Sequence, residues 1–134
     1  MSNINIKIIM PDKKKLDQMV DSVVLPGVDG DFEVLVGHSP FITRLRSGSI
    51  RVLRDGKHEY YAIHEGFVSV ENNSVLVLSE ICENQAEIDI KRAEKAKARA
   101  EQRFASADPG SVDFRRAEVA LKRAIARLET TKIV

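Results

Sequence analysis

The sequence predicts a small all-β N-terminal domain, a β-sandwich or flattened barrel, followed by a C-terminal antiparallel α-helical hairpin. Three observations predict it. Short runs rich in Val, Ile, Leu and Tyr recur about every ten residues, each closed by Gly, Pro, Asn or Asp. From Gln85 onward that pattern stops, and Ala, Lys, Arg and Glu take over with apolar residues at helical spacing. A single break, Asp108-Pro109-Gly110-Ser111, cuts this helical region in two. The expected domains are therefore 1–84 for the β domain and 85–134 for the hairpin.

The elements follow in order. Residues 5–10 alternate and stop at Pro11-Asp12, and Lys13-Lys14-Lys15 then reads as a solvated turn. Residues 20–25 end at Pro26-Gly27. Gly30-Asp31 introduces residues 32–36, which end at Gly37-His38-Ser39-Pro40. Residues 49–54 lead into Asp55-Gly56, the strongest hairpin signal because both residues tolerate positive φ, and residues 57–63 are its return strand. Residues 66–70 and 74–78 flank a tight turn at Asn72-Asn73. Asn84-Gln85-Ala86-Glu87 has the spacing of a capping box, so the first helix is expected to open there, with Ala93, Ala96, Ala100 and Phe104 on one stripe. Asp113 is the expected cap of the second helix, whose stripe is Ala117, Leu121, Ala124 and Leu128. Small alanines let two helices lie close. Such a hairpin buries little area, so its docking on the β domain should be weak enough to switch.

The 134 residues carry a net charge of +1, which points to neither nucleic acid nor membrane. The charge is divided, however. Residues 1–84 hold nine Lys/Arg against twelve Asp/Glu, whereas residues 85–134 hold twelve against eight. The basic excess lies on the helices, where an anion or an acidic partner could use it. The lone Cys82 cannot form an internal disulfide, which fits a reducing compartment. No signal peptide and no apolar run of about 18 residues is present, so a soluble, cytosolic chain without direct membrane insertion is expected.

Enzyme signatures are missing. There is no Gly-x-x-x-x-Gly-Lys-Ser/Thr loop, no paired-carboxylate magnesium site and no nucleophile elbow. His38, His58 and His64 lack metal-ligand spacing, and Asp29-Gly30-Asp31 lacks the further ligands of a calcium loop. The lysine run has no interleaved aromatics to bind nucleic acid.

Residues 23–32 (Val-Val-Leu-Pro-Gly-Val-Asp-Gly-Asp-Phe), Gly37-His38-Ser39-Pro40-Phe41, Gly66-Phe67-Val68 and the terminal helical pair resemble the epsilon subunit of bacterial rotary ATP synthases, from Ile4 to Leu128. The resemblance implies a ten-stranded sandwich and a non-catalytic regulatory subunit of the proton-translocating enzyme. Such a subunit joins the gamma shaft to the c-ring, peripherally on the cytoplasmic face of the bacterial cell membrane. Its hairpin restrains ATP hydrolysis by extending towards the catalytic alpha and beta subunits. Gly30, Asp31 and His38 then belong to the segment that faces the c-ring. This chain departs from the family at Glu33, Val36 and the pair His64-Glu65, where Gly, Pro and Ser-Gly are usual.

Ile88-Asp89-x-x-Arg92-Ala93 is similar to the motif of epsilon subunits that bind ATP with the hairpin folded down. The matching positions are Glu83, Ile88, Asp89, Arg92, Ala93, Arg99, Arg123 and Arg127. No cofactor is required on this reading, and ATP is a regulatory ligand. Arg92 and Arg99 lie two turns apart on one helix face, and Arg123 and Arg127 one turn apart on the other. Four converging guanidinium groups repel unless a polyanion joins them, and a triphosphate does so through bidentate bonds. Asp89 would accept from the adenine amino group, with Ile88 and Ala93 against the ring. The competing reading is a solvated helix face whose ion pairs contribute only about 0.3–0.5 kcal/mol each. A free-standing cytosolic nucleotide sensor is the alternative function for the same hairpin.

Overall fold

The computed structural model describes residues 3–132. Its strands are β1 (Ile4–Met10), β2 (Lys13–Val20), β3 (Ser22–Gly27), β4 (Gly30–Val34), β5 (Phe41–Leu45), β6 (Gly48–Arg54), β7 (Lys57–Ile63), β8 (Gly66–Glu71), β9 (Ser74–Ser79) and β10 (Cys82–Asn84). Two helices follow, α1 (Ile90–Ser106) and α2 (Val112–Lys132). One layer runs β10-β7-β6-β3, with β4 on the far edge of β3; the other runs β5-β8-β9-β1-β2. The layers join where Gly27 of β3 pairs with Leu45 of β5, so β5 takes up the edge of β3 that β6 leaves. Every pairing is antiparallel except that of β1 with β9.

Period-two alternation decides which face is core. Ile4, Ile6 and Ile8 point inward from β1 and meet Val68, Val70, Val75 and Val77 from β8 and β9 and Val23, Leu25, Ile50 and Val52 from β3 and β6. The tight turns are those the sequence predicts. Asp55-Gly56 and Asn72-Asn73 all have positive φ, as a two-residue hairpin twisted to match its strands requires. A more local constraint acts at Gly66, where a Cβ would stand 2.2 Å from the Leu78 carbonyl oxygen. Only glycine lets β8 and β9 approach so closely there.

Several expectations are corrected. Lys13-Lys14-Lys15 is not a turn but the start of β2, paired with β1. The run 20–25 is split at Asp21, so that Val20 ends β2 and Ser22 begins β3. The capping box at Asn84 and Glu87 does form, but it closes a single 3-10 turn over Gln85–Glu87. Lys15 reaches Glu87 at 2.5 Å and ties that turn to β2. Ile88 is extended and buried, which pulls the chain out of helix; Asp89 then caps α1 by accepting from the Arg92 N–H at 3.1 Å. Asp113 is not the cap of α2. The Ser111 hydroxyl accepts from the Phe114 N–H at 3.1 Å and does that work, leaving Asp113 in the first turn.

The helices form the expected hairpin. Ala93 and Ala100 of α1 and Ala117, Ala124 and Leu128 of α2 are buried, and Phe104 and Phe114 close its distal end with ring centroids 4.5 Å apart. α2 also packs on β6, β7 and the 3-10 turn, burying Ala126 and Thr130. Polar contacts add to what holds α2 on the sandwich. The Thr130 hydroxyl lies 2.5 Å from that of Ser49, and the Gln85 side chain donates to the Thr130 carbonyl at 2.8 Å.

Candidate functional site

Glu83 sits at the centre of the hairpin–sandwich contact. It lies on the three-residue edge strand β10, opposite Ala62 of β7. One of its oxygens, Oε1, accepts from Nε2 of His64 at 3.1 Å and from Nε of Arg127 at 2.6 Å. The His64 hydrogen bond, then that of Arg127 with its charge, hold the carboxyl down at about 2 from an ordinary 4.5, against an upward pull from partial burial. Next along β10 the Cys82 thiol is buried, and burial pushes it up to about 12, so it is a neutral core group.

The other resemblance-derived positions spread outward from this point. Ile88 and Ala93 are buried where the chain enters α1. One oxygen of Asp89 is committed to the Arg92 N–H, and the Arg92 side chain is exposed in the first turn of α1. Arg99 lines a groove of about 570 Å³ between the distal halves of the helices, floored by Ala96, Ala100, Ala117 and Ala120 and edged by Arg103 and Arg116. Arg123 instead lines a separate cleft of about 870 Å³ between α2 and the sandwich, with Lys122, Arg44, His64, Phe67 and Leu78. Glu83 and Arg127 are thus in contact, while Arg99 and Arg123 face different cavities.

Gly30 and Asp31 lie on β4, at the edge of the Glu83-bearing layer opposite β10, and His38 lies in the loop from β4 to β5. Gly30 is exposed with φ +129°, and Asp31 pairs with Arg46 at 2.5 Å. His38 donates from Nδ1 to the Ser39 carbonyl at 2.7 Å, and its ring lies beside those of Phe32 and Phe41. Sequence reasoning missed the surface next to these residues. Ile42, Arg44, Phe67 and Leu78 share the outer face of β5, β8 and β9, and Ile42 is 77% exposed. The signal was legible: these strands carry apolar residues on the face that alternation assigns to solvent.

A ten-stranded sandwich carrying a packed helical pair, with an apolar outer face and a basic hairpin, defines a subunit with surfaces suited to binding. Comparison with known proteins makes this specific. Residues 3–85 match the family described as "ATP synthase, Delta/Epsilon chain, beta-sandwich domain", and residues 86–132 match its "long alpha-helix domain". The chain belongs to the delta/epsilon chain family of ATP synthase, and so is a non-catalytic chain of the machinery of ATP synthesis and proton transport. It is similar to the ATP synthase epsilon chain of Nitratidesulfovibrio vulgaris, 44% identical over 126 residues, covering 94% of this chain and 93% of that one. The epsilon chain of Shouchella clausii is 39% identical over 132 residues, with 98% and 97% covered. Among solved structures, the mitochondrial ATP synthase of Euglena gracilis contains a chain with a TM-score of 0.85 and 25% identity, covering 96% of this chain and 81% of that one. A chain in the central stalk and c-ring structure of the Tetrahymena thermophila enzyme shares the fold at a TM-score of 0.64 and 13% identity, with 97% of each chain covered.

Proposed function

We propose that this chain works in the central stalk of a bacterial ATP synthase, where its sandwich joins the gamma shaft to the c-ring and its hairpin is an ATP-responsive regulatory arm. The complex holds it at the cytoplasmic face of the membrane; no described helix is long and apolar enough to cross one. The exposed turn at Gly30 and Asp31, with His38 close to Phe32, suits contact with polar loops of the c-ring. The apolar outer face formed by Ile42, Phe67 and Leu78 suits the shaft.

The observation that carries the regulatory part is how α2 is held. Its salt bridge to the sandwich among the described residues, Arg127 to Glu83, uses two of the residues in the ATP motif. ATP that binds only the folded-down hairpin would stabilise that state by RT ln(1 + [ATP]/Kd). High ATP keeps the arm retracted, and low ATP releases its basic helices towards acidic surfaces of the catalytic subunits. This requires different affinities for the two states, and a rearrangement that brings Arg99 and Arg123 to one ligand.

Calorimetric titration of the chain with ATP and with ADP tests this, alongside an Arg99→Ala/Arg123→Ala variant. One-to-one binding that the variant loses is the expected result. No heat at millimolar ATP, or equal binding by the variant, would remove ATP from the mechanism and leave the stalk role to the sandwich.

A further inference from the structure

The turn between β7 and β8 buries a histidine that the stalk function does not explain. The His64 side chain has no exposed surface, and its backbone N–H donates to the Ile81 carbonyl at 3.2 Å. A carboxylate only accepts, so the ring nitrogen facing Glu83, Nε2, carries a proton. Nδ1 is then left buried without a hydrogen-bond partner among the described residues. A buried polar atom left unpaired opposes folding, so the contact through Nε2 is kept at a cost.

That contact acts on a carboxylate that needs positioning. β10 is a three-residue strand at the sheet edge, and the Glu83 side chain is 26% exposed. His64 holds Oε1 from the sandwich side, and Arg127 binds the same oxygen from α2. We infer that His64 is the positioning residue of a latch, fixing the Glu83 carboxylate so that Arg127 ties the hairpin to the sandwich. The charged groups around it are mixed: Glu65 and Glu80 from the neighbouring turns, and Lys122 and Arg123 from α2, line the same cleft. No other charge duplicates the bridge, since Glu83 is the acceptor that pairs with α2 across this contact among the described residues.

The latch also leaves Arg127 usable. Glu83 takes its Nε, and the terminal guanidinium nitrogens make no hydrogen bond among the described residues. The latch therefore presents an oriented fork to an incoming phosphate instead of occupying it. This second part rests on the nucleotide reading above; the latch itself does not.

The test is amide hydrogen exchange on the full chain, comparing wild type, His64→Leu and His64→Gln. The leucine fills the space without a donor, and the glutamine amide restores one. Exchange in residues 120–132 should rise about tenfold in His64→Leu, with β1 and β9 unchanged, and return close to wild type in His64→Gln. Arg127→Met, which takes nothing out of the sandwich, should reproduce the rise and serves if His64→Leu fails to fold. The latch is overturned by unchanged exchange in α2, by equal acceleration in β1 and β9, or by failure of glutamine to restore protection. ATP titration of the same variants reads the second part, with affinity about tenfold weaker in His64→Leu than in His64→Gln. If the wild type takes up no ATP, the nucleotide reading fails, and the exchange data still decide the latch.

Discussion

Replacing Glu83 by Gln should remove one identifiable acid-sensitive component of this protein's stability. The wild-type carboxyl is held at about 2 in the folded chain against an ordinary 4.5. At about 1.4 kcal/mol per pH unit, that gap corresponds to roughly 3 kcal/mol of preference for the charged form. With a quarter of the side chain exposed, solvent screening reduces the expected contribution to about 2 kcal/mol. The sign follows from the depressed value. The stabilisation is fully present above about 4.5 and is lost as pH falls towards 2. The assay is urea denaturation followed by circular dichroism at a series of pH values from about 6 down to 3, comparing midpoints at constant m. Other carboxyls contribute to acid sensitivity as well, since Lys15 and the Asn84 N–H hold Glu87 below its usual range and Asn5 and Lys14 do so for Asp17. The difference between the two proteins isolates Glu83. Wild type should be the more stable near pH 6, and the gap should narrow as the solution is acidified. Parallel curves for wild type and Glu83→Gln would refute the argument, because they would mean that the His64 and Arg127 contacts do not favour the carboxylate.

Two further substitutions test the backbone. Gly66→Ala forces a Cβ against the Leu78 carbonyl oxygen and should cost about 3 kcal/mol or more, read as a fall in Tm of the whole sandwich; a shift within the error of wild type would show that β8 and β9 can separate there without cost. Glu65 has φ +60° in the turn before β8, so Glu65→Gly should stabilise by about 1 kcal/mol in the same denaturation assay, and a loss of stability would show that the Glu65 side chain makes a compensating contact.

Much of the fold was legible because its rules are local. Alternation from residue 5 onward marked the first strand, whose Ile6 and Ile8 are buried, and Asp55-Gly56 and Asn72-Asn73 fixed two hairpins through their tolerance of positive φ. Errors fell where a tertiary partner outweighed local chemistry. The three lysines at 13–15 look like a turn, yet Lys13 and Lys14 pair with β1, and Lys15, at the register shift that follows, finds its counter-charge 72 residues away. Asn84 and Glu87 form their capping box, yet burial of Ile88 stops that turn and hands the start of α1 to Asp89.

Local spacing carries the periodicities, the main turns, the split of charge between β domain and helices, and the motifs by which the chain resembles its family. Those depend on residues within one or two turns of each other, where spacing stands in for geometry. Which charges meet is a matter of how the elements pack. Glu83 and Arg127 are 44 residues apart, and His64 reaches the same oxygen from a third element. Arg99 and Arg123, grouped by the motif, line different cavities in this conformation. Spacing fixes the helix face on which a side chain lies; where that face docks depends on the packing of α2 across β6 and β7, which no local pattern encodes.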